Sequence, residues 1–478
     1  MSKANFKFCV KNAKEAYWEK FCGKLNYHSK LTNVWKTIKL LNNNSKQSNK
    51  IILNSENDKL IDDKMSADKF AKNYSQISSN ENIDKNSFLS RSNTIQEFFK
   101  SRNKSDTNKD QNLRDDSNKM NELFSRSEFE FALKSVSIHS APGIDLISNI
   151  FLVKSPEVIK NYLMEIINLI WKTGDIPTIW KTSIIKPVLK PNKKSTELNS
   201  YRPISLTSNS SKIMEKMIVN RLSWYLEKNN LINGNQAGFR KGFCTSDPII
   251  RLKYEADHAV KSGNITVAVL IDFTSAFDLL WADGLLIKMM NLNITGRMLK
   301  WTKNFLSNRI AKVKIGEEFS ESFSPENGTP QGSAISPLLF IIMVNDFPKL
   351  SNFTSNAFFA DDCTIWRSGK NINQIIHHLQ EDLNLIANWC SKWGFQINTN
   401  KTIGIIFTNK IYDSKLIKLT INDRLVNFQS SCKLLGVLFD SHLTWGPQIV
   451  SVIDMTKKCL NILRCISGTN WGTKKVFF

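Results

Sequence analysis

Val267-Ala-Val-Leu-Ile-Asp-Phe-Thr-Ser-Ala-Phe-Asp278 is the stretch on which the fold turns. Its aliphatic run predicts a buried strand over 265–272, and the run ends in a carboxylate, Asp272. Alone, such an acid reads equally as a turn or helix cap or as a ligand. A second acidic element tips the balance. Asp361 and Asp362 fall between Phe358-Phe359 and Ile365-Trp366, a pattern of strand, acidic turn and strand. Adjacent carboxylates raise each other's pKa, and a turn is more readily built from Asn-Gly or Asp-Gly, so a cation is expected to neutralise them. Asp278 reads as local structure, a capping role being sufficient.

Outward from this core, 304–324 predicts a β-hairpin, 336–347 a mostly apolar helix, 373–393 a long helix and 402–407 a strand. Upstream, 156–171 and 208–228 carry apolar residues at helical spacing, and 234–242 is a basic loop bearing glycines. Ser183-Ile-Ile-Lys-Pro-Val-Leu-Lys-Pro191 reads as a strand that its prolines confine to an edge or an end. Helices too few for a regular βαβ barrel, mixed with strands and without an internal repeat, make the class α+β. At the amino end, Tyr17, Trp18, Phe21, Val34 and Trp35 predict a small helical segment over 1–41 with no core of its own. Residues 42–120 turn to Asn, Lys, Ser and Asp, and between 101 and 121 the only aliphatic side chains are Leu113 and Met120. So little burial predicts a mobile linker, apart from a helix near 66–74, with the folded body beginning near Asn121.

The 478 residues carry 65 Lys and Arg against 43 Asp and Glu, a net charge of +22 that favours a polyanionic partner, nucleic acid or an acidic membrane surface. The longest apolar runs, 338–344 and 267–271, fall far short of the ~20 residues of a spanning helix. With no secretion core at the amino end, an intracellular protein is expected, nucleus and cytoplasm not being distinguished. Eight cysteines without a Cys-x-x-Cys pair read as small buried hydrophobes and predict no disulfide-linked partner. His377 and His378 read as structural, and Trp389 and Trp393 as the buried face of a helix. Between 180 and 261 there are 15 Lys and Arg against six Asp and Glu, a run that suits either a solvated face or a phosphate-binding surface.

Three carboxylates from two strand ends in a basic chain suit Mg²⁺, a hard cation bound through one or two carboxylates together with substrate phosphates, with Mn²⁺ as a substitute. Two such ions about 3.5–4 Å apart activate an attacking hydroxyl and stabilise the leaving oxygen at phosphorus. That chemistry is nucleotidyl transfer. Asp272-Phe-Thr-Ser-Ala-Phe-Asp278, Gly328-Thr-Pro-Gln-Gly-Ser-Ala-Ile-Ser-Pro-Leu-Leu-Phe340 and Phe359-Ala-Asp-Asp362 resemble, in order, three successive motifs of the reverse transcriptases of non-LTR (LINE-type) retrotransposons. Tyr201-Arg-Pro-Ile-Ser-Leu206, Gln236-Ala-Gly-Phe-Arg240, Trp393-Gly-Phe-Gln-Ile-Asn-Thr-Asn-Lys-Thr402 and Leu434-Leu-Gly-Val-Leu-Phe-Asp440 resemble the flanking ones. A lone Asp-Asp carries no weight, but seven motifs in order over roughly 141–472 are specific.

The resemblance implies a right-hand polymerase: fingers and the start of the palm over 121–260, a ferredoxin-like palm with a fingers insertion over 261–407, then a primer-grip region and incomplete thumb over 408–478. It implies Asp272, Asp361 and Asp362 as a metal-binding triad, helped by the Phe273 carbonyl. Phe277 matches the aromatic that excludes a 2′-hydroxyl, its other reading being an ordinary core residue. Lys190 and Arg202 match contacts to the incoming triphosphate, Gln331 stands beside the nucleotide, and Gly332 allows its close approach. Lys401 matches a general acid to the leaving pyrophosphate, or is a solvated lysine at a strand end; Leu435 and Gly436 match the primer grip.

The implied activity is RNA-directed DNA polymerisation, adding dNTPs to a DNA primer 3′-OH on an RNA template. The alternative is an impaired remnant that binds RNA without polymerising; an RNA-dependent RNA polymerase is opposed by Phe277. Residues 1–120 offer no set of acids and histidines for an endonuclease, so DNA nicking is not expected, and no RNase H or zinc knuckle is visible. A thumb-like helix is expected over 448–467, carrying Val450, Ile453, Leu460 and Leu463; an incomplete thumb predicts weak processivity.

Overall fold

The aliphatic run folds as β3 (Ile265–Ile271), buried along nearly its whole length because it is the middle of a five-stranded sheet. The order is β11 (Asn427–Phe428), β8 (Ile403–Phe407), β3, β7 (Asp362–Gly369) and β6 (Thr354–Phe359). β7 and β8 run antiparallel to β3 on either side, and β6 and β7 form a hairpin in which Phe359 pairs with Asp362. The main core takes Val267, Val269 and Ile271 from β3 and Ile375, Leu379, Leu383 and Ile386 from α10 (Ile372–Trp393). It also swallows α9 (Ser336–Val344), in which every residue but Pro337 is buried, as an all-apolar helix must be. Helix α6 (Ser246–Lys261) packs on β3, β6 and β7.

This computed structural model describes residues 62–82, 91–98, 111–191, 193–410 and 417–466, with isolated positions between 8 and 20. They fall into two units, one within Ile51–Leu443 and one within Met1–Lys50 and Thr444–Phe478. The expected helical segment 1–41 lies almost wholly outside the described residues.

A second sheet has the order β2 (Tyr201–Leu206), β1 (Thr182–Leu189), β4 (Ile310–Ile315), β5 (Glu318–Phe319). β1 is therefore not an edge strand, contrary to one reading of its prolines. β4 pairs only with Thr182 to Ile185, whereas Pro187 faces Pro203 on β2 past the last of those pairs, so no ladder bond to β4 is lost there. The hairpin expected over 304–324 is β4–β5, beginning later because α8 (Gly296–Leu306) extends to Leu306. Helix 208–228 is α5 (Asn209–Lys228), capped by Ser208, whose hydroxyl accepts the Ser211 N–H, and 156–171 is α4 (Glu157–Thr173). Helices α6, α7 (Ala282–Asn291) and α8 have no counterpart among the expected elements.

The helix expected near 66–74 is formed, but the linker expected around it over 42–120 needs correction. Helix α1 (Asp63–Ser78) buries Ala67, Phe70, Ala71 and Tyr74 against Tyr201, Val313 and Ile315 of the second sheet, with the Phe70 and Tyr201 rings edge-on at 5.0 Å. A helix over 91–98 and α2 (Gln111–Met120) are also formed, and Arg91 is buried. Folding thus starts well before Asn121: a few apolar residues at helical spacing suffice once a sheet supplies the other half of the interface. The intervening 42–61, 83–90 and 99–110 lie outside the described residues.

Cys363, Cys390 and Cys432 are buried as expected, but Cys244 and Cys459 are exposed. Trp389 and Trp393 are core residues, and His377 and His378 both lean on Glu381 at the surface of α10. Among the described residues no helix is long and apolar enough to cross a membrane. Helix α11 (Gly446–Ile466) carries the element expected at 448–467, with Val450, Ile453 and Leu460 exposed and the Leu463 side chain outside the described residues.

Candidate active site

The exit of β3, the β6–β7 turn, the 328–331 loop and the β1–β2 pair line one cavity of about 910 Å³. Asp272 is the first residue past β3. Its N–H donates to Thr402 Oγ1 (3.3 Å) and its carbonyl accepts from the Asn398 N–H (2.7 Å), while the Thr274 N–H donates to Gln396 O (2.8 Å). Phe273 therefore faces Ile397 in a pair with no direct hydrogen bond, which turns its own carbonyl toward the opposite edge, where β7 begins at Asp362. The ladder between β3 and β7 ends at Ile271 and Cys363, so one further rung sets Asp272 beside Asp362.

The turn between β6 and β7 consists of Ala360 and Asp361 alone. Ala360 sits at φ 59°, a left-handed conformation that glycine would take without strain. What holds it is the loop 234–242. Gln236 Oε1 accepts the Ala360 N–H (3.1 Å), the Ala237 N–H donates to Phe358 O (2.9 Å), and the Phe358 N–H donates to Asn235 O (2.9 Å). A Cβ on Gly238 would lie 2.1 Å from Ala360 N, so only glycine lets this loop seat the acidic turn. The sequence marked Gln236-Ala-Gly238 as a flanking motif without giving it this task.

Burial first, then the neighbouring Asp272, pushes the Asp361 carboxyl upward, while Arg202 and Lys401 pull it down. Asp362 is exposed by area but only into the concave site; burial there, then Asp361 and Asp272, raises it to about 6. Basic groups gather opposite. The Lys190 ammonium is depressed by burial and then by Lys401, Arg202 and Lys193, and its Nζ donates to Asn199 O at 2.9 Å. Lys401 Nζ stands 3.4 Å from Asp272 Oδ2, an ion pair that misses hydrogen-bond geometry, since that oxygen is buried without a hydrogen-bond partner. Lys401 is thus engaged with an acid, not merely solvated.

The three acids share one cavity, yet among the described residues no three His, Cys, Asp or Glu side chains are arranged as a finished metal cage. The Lys401 ammonium supplies part of the counter-charge instead. An oxygen-only donor set with one carboxylate oxygen unbonded, and with two acids raised by burial and mutual repulsion, fits a cation that uses one or two carboxylates and takes its remaining ligands from phosphate and water.

Phe277 satisfies both of its readings, since it lines the cavity and stacks on Phe340 at 4.5 Å. Gln331 also lines the cavity, whereas Gly332 is required elsewhere: at φ 136° its missing Cβ would fall 2.4 Å from Ser205 O of β2. Leu435 and Gly436 form the left-handed turn between β12 (Ser431–Leu434) and β13 (Val437–Asp440) and are not among the cavity walls. Asp278 is not a cap. It is buried in the cavity wall and its carboxylate accepts twice from Gln331 Nε2, at 2.9 Å each. Burial lifts its carboxyl to about 6 against the pull of Gln331, Arg309 and Lys190. Arg309 is itself only 7% exposed, and no motif of the sequence includes it.

Residues 189–439 match the family described as reverse transcriptase (RNA-dependent DNA polymerase). Among curated proteins, the chain is 32% identical over 335 residues to a probable RNA-directed DNA polymerase from transposon BS of Drosophila melanogaster, covering 69% of this chain and 36% of that one. It is 29% identical over 333 residues to the RNA-directed DNA polymerase from mobile element jockey of the same species, covering 68% and 36%. To the probable RNA-directed DNA polymerase from transposon X-element, again of Drosophila melanogaster, it is 29% identical over 320 residues, covering 66% and 35%. The chain thus spans about a third of the length of these relatives.

Proposed function

The chain belongs to the reverse transcriptase (RNA-dependent DNA polymerase) family, and on that premise we propose that it extends a DNA primer with dNTPs on an RNA template. The observation that carries this reading is the register of β3 against β7, which sets Asp272 beside Asp362 in a cavity whose far wall is basic. In this reading the five-stranded sheet is the palm, the second sheet belongs to the fingers, and α11 to the thumb.

Asp272, Asp361 and Asp362, with the Phe273 carbonyl, would hold Mg²⁺; the bound ions supply charge neutralisation at phosphorus and acidify the primer hydroxyl. The chain's own groups do the rest. Arg202 and Lys190 orient the triphosphate, the guanidinium as a planar fork and the ammonium as a point charge. Lys401 balances the charge of Asp272 until substrate arrives and then holds a proton within reach of the departing pyrophosphate. Phe277, fixed by its stack on Phe340, occupies the space that a ribose 2′-hydroxyl needs. Leu435 and Gly436 offer a turn without side-chain obstruction to the primer backbone, nothing lying within 4 Å of a Gly436 Cβ. The surplus of Lys and Arg predicts that template binding weakens steeply with salt.

The test is primer extension on an RNA template with Mg²⁺ and dNTPs, wild type against Asp361→Asn. Extension that Asp361→Asn leaves undiminished refutes the reading. Phe277→Ala should admit rNTPs; unaltered rejection would remove Phe277 from the role of gate. One observation favours a second reading, RNA binding without turnover: the Lys401–Asp272 ion pair stands where a cation belongs. Salt-sensitive RNA binding with no incorporation at any Mg²⁺ concentration would select it.

A further inference from the structure

The cavity floor contains a hydrogen-bonded pair, Asp278 and Gln331, whose acid the nucleotidyl-transfer scheme above does not use. The 328–332 loop is stitched to the turn after β3 on one side, where the Gly328 N–H donates to Leu280 O (2.8 Å) and the Thr329 N–H to Phe277 O (2.9 Å). On the other side the Ser205 N–H of β2 donates to Gln331 O at 2.7 Å. No Cβ could be tolerated at Gly328, where it would meet Asp278 O at 2.5 Å. The Gln331 backbone is therefore fixed from both flanks, which leaves the side-chain torsions free to choose which end of the amide faces inward.

Asp278 removes that freedom. Burial raises its carboxyl only to about 6, against the opposing pull of Gln331, Arg309 and Lys190, so at pH 7.5 it is ionised. An ionised carboxylate only accepts, so the Gln331 NH₂ must be the end turned to it, and Nε2 lies 2.9 Å from both carboxylate oxygens. Arg309 is in turn anchored by Nη2 on Asn327 O at 2.6 Å, just ahead of the loop. Gln331 Oε1 is left on the opposite branch of the amide and takes no hydrogen bond from the described residues. Because Gln331 lines the cavity, that oxygen is the uncommitted end of its side-chain amide.

We propose that Asp278 is a positioning residue that locks the Gln331 amide so that Oε1, an acceptor, faces the nucleotide compartment and receives a hydroxyl or amino donor of the incoming nucleoside triphosphate. The assignment rests on the polymerase reading for the nature of the ligand but not for the orientation of the amide. Gln331 without Asp278 would present either end, and half of its orientations would set NH₂ against a donor.

Three near-isosteric variants test it: Asp278→Asn, Gln331→Glu, and the double variant Asp278→Asn with Gln331→Glu. The double variant reverses the pair, since the amide now at position 278 donates to one oxygen of the carboxylate now at position 331 and leaves the other as acceptor. Expected is a rise of roughly tenfold in dNTP KM and in equilibrium dNTP Kd for each single variant, the size of one charge-assisted hydrogen bond, with kcat within about threefold of wild type. The double variant should return KM and Kd to within about threefold. A merely structural role would lower the melting temperature without splitting KM from kcat and would not be rescued by the reversal. Unchanged Kd in Asp278→Asn overturns the proposal, as does a double variant no better than Gln331→Glu, and that comparison stands even if Asp278→Asn melts below the assay temperature. Binding without extension by the unsubstituted chain would remove the polymerase reading while the Kd comparison still decides the role of Asp278; absence of dNTP binding by that chain would sink both.

Discussion

Lys401 Nζ lies 3.4 Å from Asp272 Oδ2, so the first acid of the site is paired with a cation carried by the turn that leads into β8. Both partners are substantially exposed, at 61% and 35%, which limits the pair's contribution to stability to at most about 1 kcal/mol. In the proposed metal site its effect would fall instead on metal loading, because the ammonium and Mg²⁺ would compete for one oxygen. Lys401→Met is therefore expected to leave the melting temperature within a few degrees of wild type and to lower the Mg²⁺ concentration for half-maximal extension. If Lys401 also serves the leaving group, kcat falls in the same variant, and the Mg²⁺ titration separates the two effects.

Asp362 gives a pH dependence whose sign is fixed. Its folded-state pKa is raised from the usual carboxylate value to about 6, so between about pH 4 and 6 the folded chain holds a proton that the unfolded chain has lost. Stability from this group is present below that window and is lost as pH rises through 6. Asp361, raised in the same direction, adds to the effect. On the proposed reading Mg²⁺ would bind the ionised form and offset the loss, so thermal-shift measurements are expected to show stabilisation by Mg²⁺ at pH 7.5 and little at pH 5. Equal shifts at both values would contradict it.

Gly238 lies more than a hundred positions before the turn it supports, yet its missing Cβ is what lets Gln236 reach Ala360. Gly238→Ala should destabilise the fold by at least ~1 kcal/mol, as overpacking does, and should depress extension far more than its stability loss explains, since the clash falls on the backbone beside Asp361. Melting and single-nucleotide incorporation on the same preparation check it.

Phe70, fully buried between α1 and the second sheet, tests whether the segment before Asn121 belongs to the folded unit. Phe70→Ala is expected to cost about 3–5 kcal/mol in urea unfolding monitored at the core tryptophans. A shift below about 0.5 kcal/mol, the range of an ordinary surface substitution, would restore the linker assignment.

The sequence by itself determined the parts whose signal is local. A five-residue aliphatic run ending in Asp272 has to be a buried strand, the alternation around Asp361-Asp362 has to be a hairpin, and the all-apolar 338–344 stretch has to lie inside. The motif order identified the family for the same reason, since it is linear information. The chain's composition pointed the wrong way where partners were distant. Helix α1 was expected as a helix but not as part of the folded body, because half of its core, Tyr201, Val313 and Ile315, is supplied by strands more than a hundred residues away. Asp278 looked like a cap because Gln331 and Arg309, which give its carboxylate a purpose, meet it only across the cavity. Only the tertiary structure decided that Lys401 stands against Asp272, that Gln236 and Gly238 carry the acidic turn, and that Gly332 is required by β2. Each of these depends on side chains from separate strands meeting at one point, and pairwise proximity of that kind leaves no periodic trace along a single chain.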